Sequence, residues 1–313
     1  MKKIVRPIIA VTMLLGLVSQ QVYAIDTTAI NEKWGKPTVV YGGGLNDQQI
    51  KETSQLLGIK DENTVTTTKA TGEDLVKYLG AGEANTSVMI SSVMVQKRNK
   101  GEGVKVHIAT PKNITLVTSE QYANAAITAG VADAEIEVAA VSKVTGESAL
   151  TGVYKAFEAN GVVLDGKRTA VAQQELELTN QIAQEQSKEK GFDAAKLDQA
   201  MIDIKKSLAE IKEKQGQVAT KEDVERIVNE ALKKYGLDKV ISPTQVNNII
   251  QFALSYQQTS AIDSKQVLEQ LNSLSNTVKG KIGQLVDQAN REGWLDKIVT
   301  FFKEIFNAIF SSK

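Results

Sequence analysis

Between Pro111 and Pro243 the chain contains no proline, and this gap constrains the fold more than any other feature. Proline removes a backbone donor and clashes with the preceding helical turn, so its absence leaves room for long helices. The later part of the gap uses that room. Arg168 to Lys190 reads as one helix, stopped by Gly191. Asp193 opens a second, in which Leu197, Met201, Ile204, Leu208 and Ile211 recur at spacings of four, three, four and three. That is a heptad-like seam, and its length suits a bundle helix better than an independent coiled coil. Thr220 caps a third helix with Val224, Ile227, Val228, Ala231 and Leu232 inward, ended by Gly236. Ser242-Pro243 is an N-cap followed by proline at the first helical position, and Val246, Ile249, Ile250, Ala253 and Leu254 follow on one face. Asp263 starts another helix, with Val267, Leu271, Leu274, Val278, Ile282, Leu285 and Ala289 in register.

Glycine marks the other half. Residues 25–166 hold 15 glycines and residues 167–313 hold 6, which places a boundary near Gly166. Thr38 to Tyr41 reads as a strand running into Gly42-Gly43-Gly44. Asn46 caps a helix through Leu57, ended by Gly58. Val65 to Thr68 is a second strand, and Thr71 to Leu79 a short helix closed by Gly80. Ser87 to Lys97 and Gly103 to Ala109 flank a charged, Gly-containing turn and read as a hairpin. Ser119 caps a helix to Ala129, Glu135 to Val144 is a last strand, and Glu147 to Ala159 a last helix. The order β-α-β-α-β-β-α-β-α predicts an α+β or α/β arrangement: a mixed sheet with covering helices, followed by an all-helical C-terminal region. The expected segments are 1–24, 25–166, 167–293 and a terminal amphipathic helix over 294–313.

The first of these segments reads as an address. Lys2, Lys3 and Arg6 precede an apolar run from Ile8 to Val18, and Val22-Tyr23-Ala24 offers small residues at both positions read by a signal peptidase. This is the signature of a secretory signal cleaved after Ala24. The apolar run is too short for a span, which needs about 20 apolar residues. The processed chain carries 34 basic and 37 acidic residues. That balance argues against nucleic acid as a partner, which calls for a basic face. Absence of cysteine excludes disulfides and thiol catalysis, and His107 alone cannot build a histidine cluster for zinc. No cofactor is indicated.

Chemical motifs are weak. Gly42-Gly43-Gly44 lies where a strand meets a helix, the position of a phosphate loop. It lacks both the G-x-G-x-x-G spacing and the Lys-Ser/Thr ending of a P-loop. A tight turn needing positive φ is the expectation. His107 shares a strand face with Lys105, and a general base needs an orienting partner, which the sequence does not identify. Glu135 and Glu137 share one face of a strand opposite Ile136 and Val138, and read as the solvated side of a half-buried strand. Ser148 in Gly146-Glu147-Ser148-Ala149 has no G-x-S-x-G elbow around it. The balance leans away from an enzyme.

Thr118 to Gly161 resembles the core of an exported Gram-positive family, the YpuA-like proteins, domain-of-unknown-function family 1002. The matching pieces are Tyr122-Ala123-Asn124-Ala125, Ala129-Gly130, Gly146 and Ala149-Leu150-Thr151-Gly152, with Asn113-Ile114-Thr115 and Gly44-Leu45 upstream. Val141 stands where the family pattern calls for proline. The resemblance implies an exported, envelope-associated protein and supplies no catalytic residues.

The last 20 residues hold four of the seven phenylalanines and one of the two tryptophans. At 100° per residue, Trp294, Leu295, Ile298, Val299, Phe301, Phe302, Ile305, Phe306, Ile309 and Phe310 fill one arc of about 180°. Asp296, Lys297, Lys303 and Glu304 oppose a membrane span, because each charge costs ~2.5–3.5 kcal/mol near the bilayer centre. The arc suits either a bundle face or an attachment surface for a membrane interface or a partner. The sequence is compatible with three functions: a secreted binding or scaffold protein of the cell envelope, an envelope-polymer enzyme using carboxylates of the N-terminal half, and a membrane-active protein working through the tail. The tail separates the last from the others. If it is an attachment surface, Phe302→Asp with Phe306→Asp should abolish co-sedimentation with lipid vesicles while the rest melts as before. A lowered melting temperature would identify it as a core helix.

Overall fold

The computed structural model describes Ile25, residues 34–80 and residues 83–291. The expected leader over 1–24 and the expected terminal helix over 294–313, including Trp294 through Phe310, lie outside the described residues.

Five strands form one mixed sheet: β1 (Thr38–Gly42), β2 (Thr66–Ala70), β3 (Ser92–Lys97), β4 (Val104–Ile108) and β5 (Ala134–Ala139), in the order β2-β1-β3-β5-β4. Between them run α1 (Asp47–Leu56), α2 (Gly72–Leu79) and α3 (Ser119–Ala129), and α4 (Ser148–Ala159) follows β5. The expected mixed sheet with covering helices is present. The expected β3–β4 hairpin is not, because β5 lies between the two strands, antiparallel to β3 and parallel to β4. The physical reason is Asp133, at positive φ just before β5. Its Oδ1 accepts the N–H groups of Gly101 and Gly103, both at 3.0 Å. Its carbonyl accepts from the Arg98 N–H at 2.6 Å. These bonds draw the charged turn across the start of β5, so the turn spans a strand instead of closing a hairpin.

The helical half consists of α5 (Gly166–Gln186), α6 (Ala194–Gln215), α7 (Lys221–Lys234), α8 (Pro243–Tyr256) and α9 (Lys265–Arg291). Caps match the sequence signals. Thr220 accepts from the Asp223 N–H, and Ser242 forms a capping box with Gln245 ahead of Pro243. In α3 the cap is Thr118, one residue earlier than expected, because Gln121 reciprocates its bond.

Helix α3 sits between the two halves, and ten of its eleven residues are buried. Tyr122, Ala125, Ala126 and Ala129 belong to the core shared with the sheet, whereas Ala123 and Ile127 belong to the core of the helices. Small side chains on both sides let neighbours approach closely, so no face of α3 needs to be polar. Its C-terminus is clipped by Arg168 of α5, whose Nε donates to the Thr128 carbonyl at 2.8 Å and whose Nη2 donates to that of Ile127 at 3.2 Å. A cation there also meets the negative end of the helix.

A buried lysine joins these layers. Lys205 of α6 has no exposed side-chain surface. Its Nζ donates to Asn124 Oδ1 at 2.6 Å, Thr128 Oγ1 at 2.9 Å and Glu175 Oε1 at 2.7 Å. Thr128 in turn donates to Glu175 Oε2 at 2.6 Å. The Tyr256 ring of α8 lies 5.8 Å from the ammonium. Burial pulls Lys205 below the ordinary lysine range, against the upward pull of Glu175. Removing one partner strands the other as a buried charge. Lys205→Met should therefore lower unfolding stability by about 3–5 kcal/mol, measured by urea denaturation. Adding Glu175→Gln should restore a large part of it.

Asp198 of α6 behaves differently. It is buried, Thr118 donates to its Oδ2 at 3.1 Å, and its Oδ1 takes no hydrogen bond. Burial, reinforced by nearby Glu120, pushes its carboxyl well above the ordinary range. The folded chain thus holds this proton more tightly than the unfolded chain. Stability from this group falls as pH rises from about 3.9, the unfolded aspartate value, through the raised folded value. Asp198→Asn keeps an acceptor for Thr118. It should melt higher than the parent at pH 7 and no higher at pH 3, read by thermal melts at both pH values.

Candidate functional site

Parallel pairing of β4 with β5 sets His107 directly beside Glu137. His107 Nδ1 and Glu137 Oε1 are 3.1 Å apart. The His107 side chain is 38% exposed, whereas that of Glu137 is 3% exposed. Glu137 therefore differs from the solvated strand residue expected for it. The row across the sheet explains its burial. Glu137 pairs with Met94 of β3, which pairs with Val39 of β1. Both are part of an apolar cluster with Tyr41, Leu57 and Ile25. Burial pushes the Glu137 carboxyl up, while bonds from the Ile25 N–H and His107 pull it down. Glu135, two residues away on the same side, is tied to Arg98. The sequence showed both His107 and Glu137 on alternating strands. Their register was the missing information, since β4 and β5 are separated by a whole helix.

A histidine held by a buried carboxylate has the base-and-orienter relation of acid–base catalysis. Ser148, the serine weighed from the sequence, begins α4 and has no hydrogen bond to this pair. Among the described residues, no group of three or more His, Cys, Asp or Glu side chains stands where it could hold a metal ion.

The glycine loop is filled by protein. A Cβ on Gly42 would overlap the Met89 carbonyl, one on Gly43 would lie 2.6 Å from the Ala70 carbonyl oxygen, and one on Gly44 2.6 Å from that of Ser87. None of the three has positive φ. These glycines serve close backbone approach, which corrects the expected need for positive φ. The Gly43 and Gly44 N–H groups are already used, donating to Ala70 and Met89 carbonyls at 2.8 and 3.0 Å. No donors remain there to cradle a phosphate.

A cleft of ≈ 680 Å³ lies in the helical half, between α6 and α7 with Lys279 of α9 at its side. Its acids are Asp203, Glu210 and Glu230. Each is engaged: Asp203 by Lys234 at 2.7 Å and the Tyr235 hydroxyl at 2.7 Å, Glu230 by Arg226 and Glu210 by Lys214. Burial alone would push Asp203 up, but Lys234 and Tyr235 hold it below the usual carboxylate range. Three further lysines line the cleft, Lys206, Lys233 and Lys279. They make no ion pair with any described residue. This convergence was hidden in the sequence, where the three lie on different helices among many other lysines.

The residues that carried the family resemblance are packing points. The Tyr122 hydroxyl donates to the Gly146 carbonyl at 2.6 Å. Asn124 receives Lys205. Asn113 Nδ2 donates to the Ala140 carbonyl at 2.7 Å. A Cβ on Gly152 would lie 3.0 Å from Val93, which lets α4 settle on the sheet.

The comparisons define the class first. The family described as "Protein of unknown function (DUF1002)" matches residues 41–274, and the chain belongs to that family. The matched range holds the end of β1, the other four strands and most of the helical half. Among individual proteins, the chain is 30% identical over 317 residues to "Uncharacterized protein YpuA" of Bacillus subtilis (strain 168), covering 99% of each chain. No solved structure matches.

The glycine assignment has a direct check. Gly44→Ala should cost about 1–3 kcal/mol through overpacking against the 86–89 backbone.

Proposed function

We propose that this is an exported, non-enzymatic binding protein of the cell envelope, and that the α6–α7 cleft takes an anionic envelope component. One observation carries the reading. Every carboxylate lining the cleft is engaged by a cation, while Lys206, Lys233 and Lys279 carry no ion pair with any described residue. Such a surface offers uncommitted positive charge and no carboxyl set aside as a proton donor. A carboxylate hydrolase needs the opposite, a raised acid facing a second carboxylate. Export is supported by the basic start, short apolar run and Val22-Tyr23-Ala24 of the leader. Among the described residues, no helix is long and apolar enough to cross a membrane. The aromatic arc of the tail would add a second, apolar point of attachment at a membrane surface.

The cleft is tested by co-sedimentation of the processed chain with isolated envelope. Lys206→Glu with Lys233→Glu should reduce the bound fraction by about tenfold or more, since each reversal replaces attraction with repulsion. Lys221→Glu, outside the cleft, should change it little. Binding by the parent should weaken with added salt. Unchanged binding by the cleft variant with an intact fold would reject the cleft as the ligand site.

A further inference from the structure

Ile25 is the residue that follows the Val22-Tyr23-Ala24 signature. It is only 5% exposed and packs in the cluster with Val39, Tyr41 and Met94. Its backbone nitrogen lies 3.3 Å from Glu137 Oε2, within the buried part of the sheet face. The other oxygen of that carboxylate faces His107 Nδ1. A buried carboxylate is costly without a cation, and His107 supplies one only when protonated.

In the uncut chain the Ile25 nitrogen is an amide, neutral, with a single N–H. We propose that cleavage of the Ala24–Ile25 bond turns it into an α-ammonium, and that the pocket around Glu137 is a socket for this new terminus. The inference rests on the export reading. In the step itself, water adds across the amide with a signal peptidase of the export machinery as catalyst. The C–N bond breaks, Ala24 leaves as a carboxylate, and the Ile25 amine takes the proton released. The product places a full positive charge against Glu137 Oε2, while the Ile25 side chain fills the apolar wall beside it. Capture of a terminal amine is a known mode of recognition, and here the acceptor is a carboxylate oxygen. The uncut chain offers Glu137 one neutral donor at this place; the cut chain offers a cation. Maturation and final packing of the sheet face are thereby coupled.

The experiment uses the full processed chain in two forms, released from a fusion so that one begins at Ile25 and the other at Ala24. Each is made with and without Glu137→Gln. The chain beginning at Ile25 should melt several degrees higher than the one beginning at Ala24, and Glu137→Gln should erase that difference. The Ile25 α-amine should also react with an amine-acylating reagent about tenfold more slowly than in the Glu137→Gln form, as a one-unit rise in its pKa alone would produce. Equal melting of all four chains, or acylation at the rate of an exposed terminus, would overturn the socket. N-terminal sequencing of protein recovered from the producing cells tests export separately. A retained leader would overturn the export reading and leave the coupling in the released chains to stand or fall on its own measurement.

Discussion

An ammonium group with no access to water can exist only where oxygens replace its hydration shell. Lys205 meets that requirement with Asn124 and Thr128 of α3 and Glu175 of α5. The three acceptors come from both sides of Gly166, so neither half of the chain can satisfy the lysine by itself. Because α3 also forms one wall of the sheet core, the position of α6 against α3 ties the helical layer to the sheet. The apolar cores on either side are not selective in this way. Apolar surfaces tolerate small shifts in register, whereas a three-way hydrogen-bonded charge tolerates few. Whether this pair adds net stability over an apolar replacement is a separate matter from specificity, since desolvation opposes the attraction.

The same logic of local polar control recurs at the sheet. Asp133 pins the turn at Gly101 and Gly103 where β5 enters between β3 and β4. This topology in turn puts Glu137 in the sheet interior beside His107 at its margin. The glycine run after β1 works by a different means, contact with the 86–89 backbone too close for any Cβ. Together these features explain why the family-like residues Tyr122, Asn124, Gly146 and Gly152 are structural. They bond or pack at the places where elements meet.

Functionally, the two polar constellations point in different directions. The cleft beside α6 and α7 offers cations to the outside. The Glu137 pocket is filled from within by Ile25, with only the histidine facing outward. Glu137 is hydrogen-bonded to the protein on both oxygens, so it reaches a ligand only through His107. It is well placed to hold part of the chain. The proposed binding role draws on the first of these, the outward cations of the cleft.

Much of the architecture was legible in the residues alone. The proline-free stretch and the 3.5-residue recurrence of apolar side chains marked α5 through α9, because helix formation depends on local propensity and a buried face. Alternation and glycine punctuation marked the strands. Local patterns hold no information about which strand is neighbour to which, so the hairpin between β3 and β4 was the natural but mistaken reading. Burial of polar groups was equally out of reach. Glu137 reads as solvated because it alternates with Ile136 and Val138, yet the row through Met94 and Val39 encloses it. Lys205 reads as one lysine among many, and its role arises only when α3 and α5 bring Asn124, Thr128 and Glu175 around it. Lys206, Lys233 and Lys279 form a common surface for the same reason, three helices converging. The sequence by itself determined the elements and their polarity. Tertiary structure decided which charges were desolvated and which faced water, because desolvation depends on neighbours distant along the chain.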